Sequence, residues 1–335
     1  MITRIANLSD TAPPWNWLAN RFTDDSLSWH ACSSYVSKGA AMRLKWPAAR
    51  VEAALSAKSL LRNHSGPRLL VSHGPLLALY AEALARPPDT QHLVFSFNFT
   101  NLPTGVRRTL FRRYLPRASR FVVASSIERE LYSKYFDIDS ARIDVLLWSI
   151  QPPIAELSRP ARFSQKPYIC AIGSQARDYT TLIESMRRLP AIDLILVASP
   201  DSLPQGPIPP NVKILTNVPF SDAMNVLAHS LFMVLPLRDS TVPCGHVTIV
   251  AGLHMGKAIL ATDSSGVHDY LITQKNSLLI PPNDSETLAD NIEQLYDNAT
   301  LRAQFGEQGR AFAQANCTEE SAVAYFRKFL TDYCG

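Results

Sequence analysis

A chain of 335 residues is long for one ordinary domain and comfortable for two, each with its own core. Its composition, 46% hydrophobic and 19% charged with 24 prolines against 13 glycines, is globular with ordered loop corners and excludes a disordered or fibrous chain. The net charge of +4 is uneven: residues 1–160 carry 20 Lys and Arg against 12 Asp and Glu, and residues 161–335 carry 13 against 17. The basic half suits an acidic partner, whereas the acidic half must hold any anion through local dipoles.

Taken in order, Thr3–Leu8 reads as a first strand with Asp10 on the loop at its carboxyl end, and Ser26–Cys32 as a second. An Ala-rich helix over 47–61 leads to the buried strand 68–72, which runs into His73-Gly74-Pro75. A helix over 76–84 is followed by strand 92–97, ending in Asn98-Phe99-Thr100-Asn101, where Asn98 and Asn101 either make the turn or face a ligand. Next come six arginines within fourteen positions, Arg107, Arg108, Arg112, Arg113, Arg117 and Arg120, around Leu110, Phe111, Tyr114 and Leu115. This segment is either a solvated flank or an interfacial helix for anionic membrane; without a recognised module around it, nucleic acid is not expected. Strand 120–126, helix 127–135 and strand 142–148 complete the first half, and Gln151-Pro152-Pro153 to Pro160 is a proline-punctuated linker.

The second half restarts with strand 167–174 and the polar turn Gln175-Ala176-Arg177-Asp178. Helix 179–189, strands 192–198 and 212–215 and helix 221–228 lead to the apolar run Leu231–Leu235, which Pro236 ends because a ring without N–H cannot continue a ladder. A helix opens at Gly245-His246-Val247-Thr248 and stops at Gly256, and Ala258–Ala261 is the next strand. Strand, polar loop, helix and strand make a βαβ unit, whose free N–H groups at Val247 and Thr248 invite an anion. Helices over 286–297, 301–315 and 319–333 close the chain. The alternation throughout predicts an α/β fold with parallel sheets.

Gly256-Lys257-Ala258-Ile259 and Thr262-Asp263-Ser264-Ser265-Gly266-Val267 resemble the donor-binding segment of GT-B glycosyltransferases of the family-four (glycosyl transferases group one) type. The wording around Val123-Ala124-Ser125 and Arg142-Ile143 is similar to the end of their N-terminal domain. The helix departs from the pattern: counting back from Lys257, the family's second glutamate falls on Ala251 and the first near Pro243, so the glutamate pair is missing. The resemblance is close over residues 118–315 and thin before residue 68. It implies two Rossmann-like doubly wound domains facing each other across a cleft: 1–153 for the acceptor, 165–316 for the nucleotide-sugar donor, and 317–335 as a helix crossing back to the first.

The expected donor-binding residues are Gly173, Ser174, Arg177, Arg238, Gly245, Val247 and Thr248; Arg177 and Arg238 follow strand ends where a guanidinium can clamp a diphosphate. The candidate catalytic residues are Asp10 as general base, His73 and Asn98 at strand ends, and His246, which either caps its helix or touches the sugar. His254, on an apolar helix face, reads as a packed histidine. No Asp-x-Asp or His/Cys cluster suggests a metal, so the leaving diphosphate is expected to meet a helix N-terminus and arginines instead. The expected activity is metal-independent transfer of a hexosyl unit, without a cofactor, from a UDP- or GDP-sugar. The acceptor would be a lipid-linked or polysaccharide hydroxyl in bacterial cell-surface synthesis. The rivals are a sugar-nucleotide epimerase of the same fold and an inactive nucleotide-sugar-binding partner subunit. With no membrane-length apolar run, no N-terminal h-region and five cysteines lacking CxxC spacing, the expected location is cytoplasmic, peripheral at the inner membrane face.

Overall fold

The computed structural model describes residues 2–10, 18–22, 24–35, 42–160, 166–238 and 242–334. The chain forms two compact units, Met1–Leu146 with Ala322–Gly335, and Leu147–Ser321. The division falls just before Leu147 because Leu147, Trp148 and Ile150 pack on the second core and the Trp148 N–H donates to the Tyr270 hydroxyl at 2.9 Å.

The first unit contains β1 (Thr3–Ser9), β2 (Leu27–Ser33), α1 (Met42–Arg62), β3 (Arg68–His73), α2 (Pro75–Tyr80), β4 (Gln91–Phe95), α3 (Gly105–Tyr114), β5 (Arg120–Val123), α4 (Ser126–Phe136) and β6 (Ile143–Val145). Its six-stranded sheet has the order β2-β1-β3-β4-β5-β6, with every pairing parallel. Strands buried on both faces need continuous apolar runs, and Leu69, Leu70 and Val71 supply one. The helix expected over 76–84 is α2 continued by a π-helical turn, Ala81–Ala85, which brings Glu82 inward. Glu82 is buried with His92, whose Nδ1 lies 2.6 Å from Oε1, while the His92 Nε2 meets Ser72 Oγ at 2.8 Å. β4 stops at Phe95, short of the expected Phe97, because Ser96 turns into a positive φ of 54°.

The second unit contains β7 (Tyr168–Ile172), α5 (Tyr179–Arg188), β8 (Asp193–Val197), β9 (Val212–Leu215), α6 (Phe220–His229), β10 (Met233–Leu235), α7 (His246–His254), β11 (Ile259–Thr262), β12 (Ser277–Ile280), α8 (Ser285–Asp297) and α9 (Ala299–Asn316). Its sheet order is β12-β11-β10-β7-β8-β9, again all parallel. α10 (Glu319–Cys334) begins in this unit and continues in the first, where Phe326 lies 4.9 Å from the Phe22 ring and 5.3 Å from Trp29. Among the described residues no helix is long and apolar enough to cross a membrane.

Strand order locates the candidate sites. In a doubly wound sheet the helices switch faces between the first strand and the neighbour on which winding reverses, leaving a crevice beyond the carboxyl ends. The switch lies between β1 and β3 in the first sheet and between β7 and β10 in the second.

Candidate functional site

In the second unit, β7 ends in Gly173 at φ 114° and β10 ends at Leu235, and the two loops meet. The Arg238 N–H donates to Ala176 O at 2.9 Å, the Asp178 N–H to Pro236 O at 2.9 Å, and Arg177 bridges Leu237. Asp178 caps α5, accepting from the Thr181 N–H at 3.1 Å. The loop therefore turns the Arg177 side chain back under itself. Its guanidinium donates to Ile172 O through Nε (3.4 Å) and Nη2 (3.3 Å), to Gln175 O through Nη1 (2.8 Å) and to Thr248 Oγ1 through Nη2 (3.1 Å). Only 4% of the residue is exposed, and no carboxylate pairs with it among the described residues. Burial pulls its pKa below the usual arginine range. Gly173 makes this packing possible, since a Cβ there would stand 2.6 Å from Arg177 Nη2. Burial also pushes the phenol of Tyr179, which donates to Gly173 O, up to about 12.

Beside this cation α7 begins. Gly245 caps it at φ 99°, and the first helical hydrogen bond is Ile249 N–H to Gly245 O at 2.9 Å. The N–H groups of His246, Val247 and Thr248 thus have no helical acceptor, and the positive end of the helix dipole lies next to a buried guanidinium. Both features favour one guest, an anion at the switch point.

The remaining donor candidates divide. Val247 is exposed on the first turn. Ser174 Oγ accepts the Ser199 N–H at 2.7 Å, tying the loop to the end of β8. Arg238 anchors its Nε on Arg177 O at 3.1 Å while the residue stays exposed. The bidentate clamp expected of Arg177 is not what this geometry offers: its bonds run to Ile172 O, Gln175 O and Thr248 Oγ1, whereas Arg238 is the exposed arginine of the pair. His246 is also turned inward. Its Nε2–H donates to Gly266 O at 3.0 Å, its ring stacks on Tyr270 at 5.0 Å, and burial lowers its pKa to about 4, so it braces two loops as a neutral ring. His254 is buried and donates through Nε2 to Cys317 O at 3.0 Å. Ala251, where the resembled family has its second glutamate, is in the core at 1% exposure.

In the first unit, a cavity of about 510 Å³ lies at the β1/β3 switch point, with Asp10, His73, Asn98, Asn101 and Arg107 in its lining. His73 Nε2–H donates to Asn7 Oδ1 at 2.9 Å, leaving Nδ1 as a lone-pair acceptor. Desolvation lowers this imidazole to about 4 against the opposing pull of Asp10, so it is neutral at physiological pH. Asp10 is held by Arg50 from α1, at 2.8 Å from Nη2 and 3.3 Å from Nε. Asn98 is exposed on the β4 loop beside Phe99, which packs in the aromatic cluster of Phe97, Phe111, Tyr132 and Phe136. Spacing in the sequence gave no sign of Asn7, which orients His73, or of Arg50, forty positions from its partner Asp10.

The arginine-rich segment is α3 followed by a 3-10 turn, Leu115–Arg117. Phe111 and Leu115, which the membrane alternative would settle among head groups, are 1% and 0% exposed, and Phe111 packs from α3 into the aromatic cluster. Val106 and Leu110 are the apolar residues left outside, at 77% and 40% exposure. Arg108 covers the Tyr135 ring at 4.3 Å, Arg117 that of Tyr114 at 4.9 Å, and Arg120 lies 3.4 Å from Asp144. Among the described residues no group of three or more His, Cys, Asp or Glu could hold a metal ion.

Residues 166–298 match the family model described as glycosyl transferases group 1. An uncharacterised glycosyltransferase of Methanocaldococcus jannaschii is 26% identical over 104 residues, a match covering 31% of this chain and 29% of that protein. Among solved structures, a sucrose-phosphate synthase from Thermosynechococcus elongatus aligns with a TM-score of 0.74 at 16% identity, covering 98% of both chains. Anabaena HepE, solved in complex with UDP and glucose, aligns with a TM-score of 0.68 at 13% identity, covering 98% of this chain and 99% of that one. The chain has the GT-B fold, with two six-stranded parallel Rossmann-like sheets.

Proposed function

We propose that this protein is a glycosyltransferase that moves a hexosyl unit from a nucleoside-diphosphate sugar to an acceptor hydroxyl. The observation that carries the reading is the buried Arg177 guanidinium, without a carboxylate partner among the described residues, set against the open first turn of α7 at a sheet switch point. The fold and the family match over 166–298 support it.

In the reaction the anomeric carbon loses its bond to the diphosphate and gains one to the acceptor oxygen, whose proton is released. The leaving group takes the electron pair and gains negative charge, which the N–H groups of His246, Val247 and Thr248 and the exposed end of Arg238 are set to receive. Each preorganised donor of this kind is worth roughly 10²–10³ in rate. This positive potential stands where some transferases use a cation, which is the basis for reading the reaction as metal-independent. HepE binds UDP, and a UDP-sugar is accordingly the first donor to test, with GDP-sugars second.

The cavity at Asp10 and His73 is proposed as the acceptor site. His73, lowered to about 4, is a weak base at neutral pH, so its Nδ1 serves to accept a hydrogen bond from a hydroxyl, while Asp10, held in place by Arg50, is the proposed general base. A lipid-linked or polysaccharide acceptor, used at a bacterial membrane that α3 touches through Val106, Leu110 and neighbouring arginines, fits the basic first half. Incubation with labelled UDP- and GDP-sugars, with and without membrane extract, tests the reading. Sugar transferred to extract, or slowly to water, supports it; epimerised donor, or donor bound and never turned over, favours the two rivals.

A further inference from the structure

The proposed acceptor cavity has an electrostatic imbalance that names a class of acceptor, if that cavity is the acceptor site. Among the described residues its lining contains one carboxylate, Asp10, and one cation, Arg107. Asp10 is already neutralised by Arg50, which approaches within 2.8 Å from outside the lining. His73 contributes no charge at neutral pH. Arg107 is different from its neighbours in the arginine run. Arg108, Arg113 and Arg117 lie over tyrosine rings, and Arg112 and Arg120 face Asp137 and Asp144. Among the described residues Arg107 has neither an ion pair nor a ring partner, and it stands in the first turn of α3 at the cavity wall.

The remaining lining suits a sugar. Asn98, Thr100, Asn101 and Thr104 supply uncharged donors and acceptors for hydroxyls, and Leu76 and Phe99 supply apolar surface for the C–H face of a ring. A cavity of about 510 Å³ lies within the roughly 300–1,000 Å³ range of small-ligand pockets. We infer that Arg107 pairs with an anionic group on the acceptor, so that the acceptor is an acidic or phosphate-bearing sugar rather than a neutral one. The anion can be the phosphate of a soluble sugar phosphate, the carboxylate of a uronic acid, or the phosphate joining a sugar to a lipid.

Three soluble probes test this by calorimetry: methyl glucoside, methyl glucoside 6-phosphate and methyl glucuronide. A fourth, a polyprenyl-phosphate sugar in phosphatidylcholine vesicles, separates the lipid source from the soluble ones. A charge-assisted hydrogen bond of ordinary strength gives the parent a preference of roughly tenfold to a hundredfold for at least one charged probe over the neutral one. Arg107→Gln should abolish that preference while leaving affinity for the neutral glucoside unchanged, Arg107→Lys should keep part of it, and Arg113→Gln should leave it intact. Equal affinity of the parent for all four probes, or a preference that survives Arg107→Gln, overturns the inference. UDP affinity, a property of the second unit, is measured on the same samples. UDP binding without any preference for charge removes this inference and leaves the glycosyl-transfer reading standing.

Discussion

Arg177 Nη2 donates to Thr248 Oγ1 at 3.1 Å, joining the loop after β7 to the first turn of α7 across the switch point of the second sheet. The bond fixes where positive charge stands relative to the open helix end, although the two residues are seventy-one positions apart. Thr248→Val removes the acceptor and leaves a buried N–H unsatisfied, at a cost of about 1–3 kcal/mol in stability. Arg177→Gln additionally removes the charge, and its UDP affinity should fall at least roughly tenfold beyond that of Thr248→Val. Denaturant melts and titrations of both variants measure the two effects separately; equal UDP affinities would assign Arg177 a purely structural role.

Gly173 and Gly245 both sit at positive φ, and Gly173 is needed for packing as well. At Gly173 a methyl group meets Arg177 Nη2 at 2.6 Å, so Gly173→Ala must displace the guanidinium in addition to straining the backbone at φ 114°. At Gly245 the space is ordinary, with Leu235 Cδ2 3.4 Å away, and the cost of Gly245→Ala comes from φ 99°, about 1–2 kcal/mol. Gly173→Ala should therefore lose more UDP affinity than Gly245→Ala, and Gly245→Val should lose it altogether. The reverse order would place the anion away from Arg177.

His246 makes the second unit sensitive to acid. Its folded pKa, about 4, lies below the unfolded value of 6.5, so the unfolded chain binds the proton first. The stabilising term is whole above pH 6.5 and is lost progressively as pH falls toward 4, reaching about 3 kcal/mol. Chemical melts from pH 7.5 to 4.5 should show this slope in the parent and a flatter one in His246→Gln. Parallel slopes would mean that the ring is charged or solvated in the folded protein.

Much of this was legible in the sequence. Apolar runs such as Leu231–Leu235, closed by Pro236, mark the strands, and Gly245 marks the start of α7, because burial on both faces and chain breaking are local properties. Strand order is not local. Nothing in the spacing says that β10 lies beside β7 or that β1 lies beside β3, so the pairing of Asp10 with Arg50 and the meeting of Arg177 with Thr248 were hidden. The direction of a side chain was hidden too. Arg177 reads as a phosphate clamp and His246 as either a cap or a sugar contact, and both turn inward; in α3 and the turn after it the dense arginines masked the burial of Phe111 and Leu115.

That buried face limits what α3 offers a membrane. Val106, Leu110, Arg112, Arg113 and Arg117 remain outside, and each basic residue near an anionic surface is worth about 1 kcal/mol at most. Changing Arg112, Arg113 and Arg117 to Gln should weaken co-sedimentation with phosphatidylglycerol vesicles by up to roughly a hundredfold at low salt. High salt should erase the difference. Equal pelleting of variant and parent at low salt would mean that α3 is a solvated flank.

The central claim is that the start of α7 beside Arg177 holds the diphosphate of a sugar nucleotide. Its most direct test is a calorimetric titration of UDP and GDP into the parent and into the folded Gly173→Ala variant. The parent should bind at least one nucleotide saturably and one-to-one, and the variant should lose that binding. Unchanged nucleotide affinity in Gly173→Ala, or no binding of either nucleotide to the parent, would contradict it.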